Sequence, residues 1–215
     1  MAYIWHSEGD SISTSGTWQG NYRLQSGIPW TFHNYAVNGA TITGNGGNSL
    51  TGRQSTVTAA FSPGDFNLLT VYIGANDFHT NVSATNDADM AALALYCSQM
   101  RAAGFYIALA TMTPQASPET NFAIFNDNRA IYNPQYRALL GTSVHAILDL
   151  AADSVIGPDG GSPYTTGNAA ADSTLYSSGV HPTALGMAHV ARVASIPLET
   201  FLNAATGLRR FRLVF

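Results

Sequence analysis

The chain has 215 residues, of which 46% are hydrophobic and only 10% are charged, and its formal net charge is −4. This balance excludes intrinsic disorder, which needs low hydrophobicity and high net charge, and with no basic face visible it argues against a nucleic-acid partner. The single cysteine excludes an intrachain disulfide framework, and no apolar run reaches the roughly 18 residues that a membrane span needs.

Short apolar runs alternate along the chain with longer helical patterns. The runs predict five buried strands, at residues 2–5, 31–37, 66–73, 105–112 and 144–150. The last three runs are almost continuously apolar, as is typical of parallel strands that are covered on both faces. Alternation of such strands with helices predicts an α/β fold with a parallel sheet and right-handed crossovers.

Three helices are predicted between or after these strands, at residues 87–103, 119–140 and 183–195. The expected inner face of the first helix consists of Met90, Leu93, Cys97 and Met100, and that of the last consists of Leu185, Val190 and Val193. Cys97 is therefore interpreted as a core residue.

Two polar, glycine-rich segments, 38–62 and 153–179, are predicted to be long loops, which inside a compact domain are usually functional or mobile. No internal repeat and no linker divides the chain. We expect a single domain over residues 1–215, with 208–215 as a C-terminal edge strand or tail.

Four short motifs fall in loops at or near the ends of predicted elements. They are Gly9-Asp10-Ser11, Asn38-Gly39-Ala40-Thr41, Gly74-Ala75-Asn76-Asp77 and Gly179-Val180-His181-Pro182. The first three follow successive strands, and the fourth stands at the entrance to the last helix. Because an open parallel sheet binds ligands at the carboxyl ends of its strands, these motifs are candidates for one shared site.

In this order the motifs resemble those of the SGNH hydrolases, the GDSL-type esterases and lipases, and the resemblance extends from about residue 3 to residue 195. The serine, glycine, asparagine and histidine for which that family is named correspond here to Ser11, Gly39, Asn76 and His181. It implies the flavodoxin-like SGNH fold, a three-layer α/β/α sandwich with a central, mostly parallel sheet of about five strands.

The resemblance also implies a role for each matched residue. A serine hydroxyl needs a base to take its proton, so Ser11 is the expected nucleophile and His181 its general base and acid. The expected oxyanion hole consists of the backbone N–H groups of Ser11 and Gly39 and the side-chain amide of Asn76. Glycine permits close approach, and a carboxamide donates a hydrogen bond without carrying charge.

Other polar residues are expected to be structural. Asp10 and Asp77 are interpreted as hydrogen-bond acceptors that hold their loops. The remaining histidines show no metal-ligand spacing, so no metal and no cofactor is expected.

The fourth motif departs from the family pattern at one position. The family has an aspartate three residues before the histidine, and here that position is Ser178. Three interpretations remain open. A backbone carbonyl or the Ser178 hydroxyl orients His181, leaving a Ser–His dyad; an acid elsewhere, Asp172, Asp153 or Asp149, reaches the ring; or the enzyme is weakened. We favour the dyad because the other motifs are intact.

The leading hypothesis is a serine esterase that hydrolyses short-chain acyl or acetyl esters, with O-acetyl groups on carbohydrate and lipase-like substrates both considered. Four aromatic residues are expected to be available for stacking on a sugar: Trp18, Trp30, Tyr164 and Tyr176. The alternative hypothesis is a catalytically impaired carbohydrate-binding module with the SGNH fold.

The sequence leaves oligomeric state and compartment open. All nine basic residues are arginines, and the polar surface is rich in Ser, Thr, Asn and Gly. Such a surface slightly favours a secreted or particle-associated protein, although base-composition bias in the source genome explains it equally well. Residues 1–10 have no basic segment followed by an apolar one, so no signal peptide is predicted.

Overall fold

The computed structural model describes residues 1–44, 46–79 and 84–206, so the predicted tail 208–215 lies outside the described residues. The strands are β1 (Tyr3–Gly9), β2 (Trp30–Asn34), β3 (Phe66–Tyr72), β4 (Tyr106–Ala110), β5 (Ala146–Leu148), β6 (Tyr176–Ser177) and β7 (His181–Pro182). The α-helices are α1 (Ser11–Thr14), α2 (Thr17–Ser26), α3 (Leu50–Ala59), α4 (Ala84–Ala102), α5 (Phe122–Ala138) and α6 (Ala184–Thr206). None of the helices in this part of the chain is both long and apolar enough to cross a membrane.

Strands β1 to β5 form one sheet in the order β2-β1-β3-β4-β5, and every pairing is parallel. The five predicted strands and the predicted parallel sheet are confirmed. The chain leaves β1 for β2 on one side and then crosses to β3 on the other. This change of direction places a crevice outside the carboxyl ends of β1 and β3, where open α/β sheets bind their ligands.

Alternate residues of each strand pack against opposite helical layers. In β3, Phe66, Leu68 and Tyr72 face the layer that contains α2 and α6, whereas Leu69 and Val71 face α3, α4 and α5. All five side chains are buried, because both faces of the sheet are covered. The three-layer α/β/α sandwich is therefore confirmed.

A cluster of aromatic rings fixes β1 to α2. The indole of Trp5 is fully buried and contacts Trp18, Tyr22 and Trp30 edge-to-face, with ring centroids 5.5 to 5.7 Å apart. Edge-to-face pairs add to the stabilisation that comes from burial alone. The cluster holds in place the strand from which the loop of Ser11 starts.

The structure corrects the expectation that four aromatic residues are available to stack on a sugar. Trp18, Trp30, Tyr164 and Tyr176 are only 1%, 6%, 7% and 1% exposed, so none of them is available to stack on a sugar. The expectation was wrong because these side chains fill the core and the underside of loops.

The predicted helices are confirmed as α4, α5 and α6, and the predicted inner face of α4, including Cys97, is buried. Helix α6 continues to Thr206, beyond the predicted end. Leu185 was wrongly assigned to its inner face, since the side chain is 51% exposed. The buried stripe of α6 includes Met187 and Val190, and Leu185 lies about 200° around the helix from Met187.

Helix α3 was missed, because it lies inside the segment 38–62 that was predicted as a loop. Ser49 caps it, accepting a hydrogen bond from the Gly52 N–H at 3.0 Å. Leu50, Arg53 and Val57 are its buried residues, at spacings of three and seven. An N-cap serine followed by this spacing was the available signal.

Candidate active site

The loop that carries Ser11 begins where β1 ends at Gly9. A Cβ atom on Gly9 would lie 2.2 Å from the carbonyl oxygen of Tyr72, so the close approach of β1 and β3 here requires glycine. Ser11 follows two residues later as the first residue of α1. Ser11 is therefore placed at the carboxyl edge of the sheet, next to the crevice between β1 and β3.

Asp10 connects two of the four motifs. One oxygen of its buried carboxylate accepts a hydrogen bond from the Ile12 N–H at 3.0 Å, and the other accepts from the Ala75 N–H at 3.3 Å. Burial raises the pKa of Asp10 to about 6. As expected, Asp10 is a structural acceptor, and it ties the loop of Ser11 to the loop of Asn76.

The side chains of Ser11 and His181 meet directly, although 170 residues separate them in the sequence. The distance from Ser11 Oγ to His181 Nε2 is 2.8 Å, which is within hydrogen-bonding range. His181 lies in β7, which pairs with β6, and the Ser177 hydroxyl donates to the His181 carbonyl oxygen at 3.1 Å. Both members of the Ser11–His181 pair are partly exposed, so a ligand can reach them.

Asn76 and Gly39 lie on loops that are bonded to each other. The Asn76 side-chain N–H donates to the carbonyl oxygen of Ala40 at 2.9 Å, and the second N–H of this carboxamide has no hydrogen-bond partner in the part of the chain that the structure describes. Gly39 is exposed at the tip of a turn, with a φ of 70°. The loop of Gly39 is also bonded to β1, since the Val37 N–H donates to the Gly9 carbonyl oxygen at 3.1 Å.

Asp77 is hydrogen-bonded to the loop that contains Gly39. Its Oδ1 accepts a hydrogen bond from the Ile42 N–H at 2.7 Å, while its Oδ2 is buried without a partner among the described residues. Burial is the main reason that the pKa of Asp77 is raised to about 8, and the charge of Asp89 acts in the same direction. The role of Asp77 is structural, as expected.

Ser178, which stands where the family has an aspartate, lies in a tight turn and forms no hydrogen bond with the His181 ring among the described residues. Ser178 and Gly179 both have positive φ, 50° and 73°, and the Val180 N–H donates to the Ser177 carbonyl oxygen at 3.3 Å. These are the features of a type I′ turn. The exposed Ser178 hydroxyl donates to the Ser177 carbonyl oxygen at 2.8 Å and not to the imidazole.

The three alternative acids are all engaged elsewhere. Their partners are Arg137 for Asp149, Arg192 for Asp153, and Thr174 for Asp172. Within residues 1–44, 46–79 and 84–206, no carboxylate forms a hydrogen bond with the His181 ring, whose partner is Ser11. For these three residues, the geometry does not support the interpretation that an acid elsewhere in the sequence reaches the ring.

A buried ion pair beneath Gly9 was missed from the sequence. Glu8 is fully buried, and the Arg53 guanidinium lies 2.6 Å from its Oε2. Arg53 also donates to the Asn48 carbonyl oxygen at 2.7 Å and to that of Gly9 at 3.4 Å. Burial raises the pKa of Glu8 to about 7, although Arg53 opposes that shift. The pair fastens α3 to the strand that leads to Ser11. The predicted first strand, residues 2–5, ended before Glu8, so no sequence signal marked this carboxylate as buried.

Comparison with known proteins gives a family and a fold. A sequence model of the GDSL-like lipase/acylhydrolase family matches residues 7–189. No curated protein is a significant match.

Several solved structures share the fold at low sequence identity. One, described as an acylhydrolase of Bacteroides fragilis, is 20% identical with a TM-score of 0.64, over 94% of this chain and 87% of that one. TesA is 18% identical with a TM-score of 0.62, over 93% and 99% of the two chains. The acetyl xylan esterase AlAXEase is 15% identical with a TM-score of 0.63, over 89% and 97%.

The region that the family model matches contains all four motifs, from the loop of Ser11 to the turn of His181. The solved structures agree with it in fold. The chain therefore belongs to the GDSL-like lipase/acylhydrolase family.

Proposed function

We propose that the protein is a serine esterase that hydrolyses short-chain acyl or acetyl esters through an acyl-enzyme on Ser11. The observation that carries the proposal is the 2.8 Å hydrogen bond between Ser11 Oγ and His181 Nε2. A hydroxyl in contact with an imidazole is the arrangement that generates a nucleophile near neutral pH. Membership of a family of lipases and acylhydrolases supports an ester as the substrate.

The mechanism follows from the positions of the groups. His181 Nε2 takes the proton of Ser11 while Oγ attacks the ester carbonyl, and the negative charge that develops on the carbonyl oxygen is stabilised by N–H donors. Those donors are the backbone N–H groups of Ser11 and Gly39 and the free side-chain N–H of Asn76. His181 then gives the proton to the departing alcohol, and water attacks the acyl-enzyme with His181 acting again as base.

We further propose that His181 and Ser11 act as a dyad. The absence of a carboxylate hydrogen bond to His181 among the described residues supports this, as does the hydrogen bond of the Ser178 hydroxyl to the Ser177 carbonyl oxygen. The same observation favours a second candidate function, a catalytically impaired module that binds carbohydrate. O-acetyl groups on carbohydrate belong to the first proposal, since AlAXEase, an acetyl xylan esterase, shares the fold.

Covalent labelling separates the esterase from the binding module. An active Ser11 forms a stable adduct with a serine-directed fluorophosphonate, because the reagent reacts only with an activated hydroxyl. We expect peptide mass spectrometry to find the adduct on Ser11, and His181→Ala to prevent its formation. A folded protein whose Ser11 is not labelled after long exposure would support the binding module.

Ser178, which stands where the family has an aspartate, provides a second prediction. We expect Ser178→Asp to raise kcat at least about 10-fold, a part of the roughly 10⁴-fold that a triad carboxylate contributes in serine proteases. Aspartate and asparagine both tolerate the positive φ of this turn, so neither substitution strains it.

Ser178→Asn is the matched control for that experiment, because it has the shape of aspartate without its charge. We expect its kcat to stay close to that of the unmodified protein. Equal rates in the two variants, or a lower rate in Ser178→Asp, would mean that position 178 is not where an acid assists His181.

A further inference from the structure

A small cavity lies next to the residues of the proposed mechanism. Three of its walls are Ile12, Ala75 and Val180, which are the sequence neighbours of Ser11, Asn76 and His181. The cavity therefore adjoins the three loops that carry the proposed nucleophile, oxyanion donor and base.

The rest of the cavity wall is mostly apolar and tightly packed. Met112 and Phe125 line it and are only 2% and 1% exposed. Its volume is about 10 Å³, roughly the space that a single water needs. A methyl group is the alkyl group closest to that size, and a longer chain requires the walls to move.

One polar side chain also belongs to the cavity wall. Gln115 lines the cavity and is 2% exposed, and its side-chain N–H donates to the Ala75 carbonyl oxygen at 2.9 Å. Its Oε1 is buried and has no partner among the described residues. No alkyl group can donate a hydrogen bond to this oxygen, so the packing of the wall, and not Gln115, sets the chain length that fits.

The geometry of ester cleavage indicates which part of the substrate the cavity would hold. The carbonyl carbon attached to Ser11 has three other groups: the oxygen, which meets the N–H donors; the alcohol, which leaves towards His181; and the acyl substituent. The cavity is the enclosed apolar space adjoining these positions. We propose that it is the acyl pocket and that it restricts the enzyme to acetyl esters, an inference that rests on the proposed esterase function.

The test compares acyl chain lengths in variants that change the size of the pocket. For the unmodified protein we expect kcat/KM for p-nitrophenyl acetate to exceed that for the butyrate at least about 10-fold, since misfit of even one methylene can cost that much. Met112→Ala enlarges the cavity and should reduce or reverse this preference. Met100→Ala, a fully buried methionine on α4, is the control for general loss of packing.

A second pair of substitutions, at Val180, does not depend on the folding of Met112→Ala. Val180→Ala should shift the preference towards butyrate. Val180→Leu should fill the cavity and lower the rate on ethyl acetate about 10-fold or more while leaving ethyl formate, which has no acyl carbon beyond the carbonyl, much less affected.

Different results would contradict the acyl pocket and the esterase function. An enzyme that is labelled at Ser11 and hydrolyses butyrate or octanoate as fast as acetate overturns the acyl pocket and leaves the esterase intact. An unchanged acetate preference in both enlarging variants overturns it as well. A protein that hydrolyses no ester and is not labelled at Ser11 overturns the esterase, and the acyl pocket with it.

Discussion

We expect Ser11→Ala to lower kcat for hydrolysis of a short acyl ester at least about 10⁴-fold, and His181→Ala to lower it by a comparable factor. The alanine at position 11 removes the oxygen that becomes acylated. The alanine at position 181 removes the group that accepts its proton at 2.8 Å. Initial rates on p-nitrophenyl acetate, corrected for hydrolysis without enzyme, measure both effects.

The double variant makes the prediction sharper. If Ser11 and His181 act as one unit, Ser11→Ala with His181→Ala should be no slower than either single variant, because each change alone already disables the unit. Multiplying effects would instead mean that the two residues contribute independently. The double variant therefore tests the functional meaning of the contact as well as the importance of each residue.

Controls for these substitutions are available nearby. Ser15 is an exposed serine just after α1, and His33 is an exposed histidine on β2. Ser15→Ala and His33→Ala change the same residue types at exposed positions and should leave kcat within about twofold, since surface substitutions are usually mild. An esterase activity that survives Ser11→Ala would place the nucleophile elsewhere.

The parts of this site that could be predicted from the sequence are those with a local signal. The strands are nearly continuous apolar runs, and the motifs stand beside them, so the edge at which Ser11 and Asn76 meet follows from the parallel sheet. The crevice between β1 and β3 could be located only from the strand order, which the structure supplies. The contact between Ser11 and His181 was implied by the family resemblance, and the structure supplies its geometry.

Pairings between distant residues had no such signal. Helix α3 has few apolar residues, and one of its buried positions is Arg53, which pairs with Glu8, 45 residues away. Asp149 and Asp153 were candidates because they are among the acids nearest to the fourth motif in sequence. In space, Arg137 and Arg192 pair with them, and neither pairing could be predicted from spacing.

Burial of large polar or aromatic side chains was equally hard to infer. Trp18 and Tyr176 lie in segments with many polar residues, yet both are 1% exposed. Ring size favours burial wherever the core has space, and that space depends on the packing of elements far apart in the chain. A sugar-binding role for these rings was therefore excluded only by the structure.

The second large effect concerns the oxyanion donor. We expect Asn76→Ala to lower kcat about 10²–10³-fold with little change in KM, because the lost N–H acts on charge that appears only in the transition state. Asn76 also bonds to the Ala40 carbonyl oxygen, so a structural contribution must be separated from the catalytic one.

Asn76→Asp makes that separation. Aspartate has the size of asparagine but accepts hydrogen bonds, and its charge opposes the developing oxyanion. If donation to the oxyanion matters, Asn76→Asp should be slower than Asn76→Ala, and both should unfold within a few degrees of the unmodified protein. The control is Asn38→Ala, an exposed asparagine that accepts a hydrogen bond from the Thr14 hydroxyl, which should retain most of the activity. Equal, modest losses in both Asn76 variants, accompanied by a large fall in Tm, would instead show that Asn76 only holds the loop of Gly39.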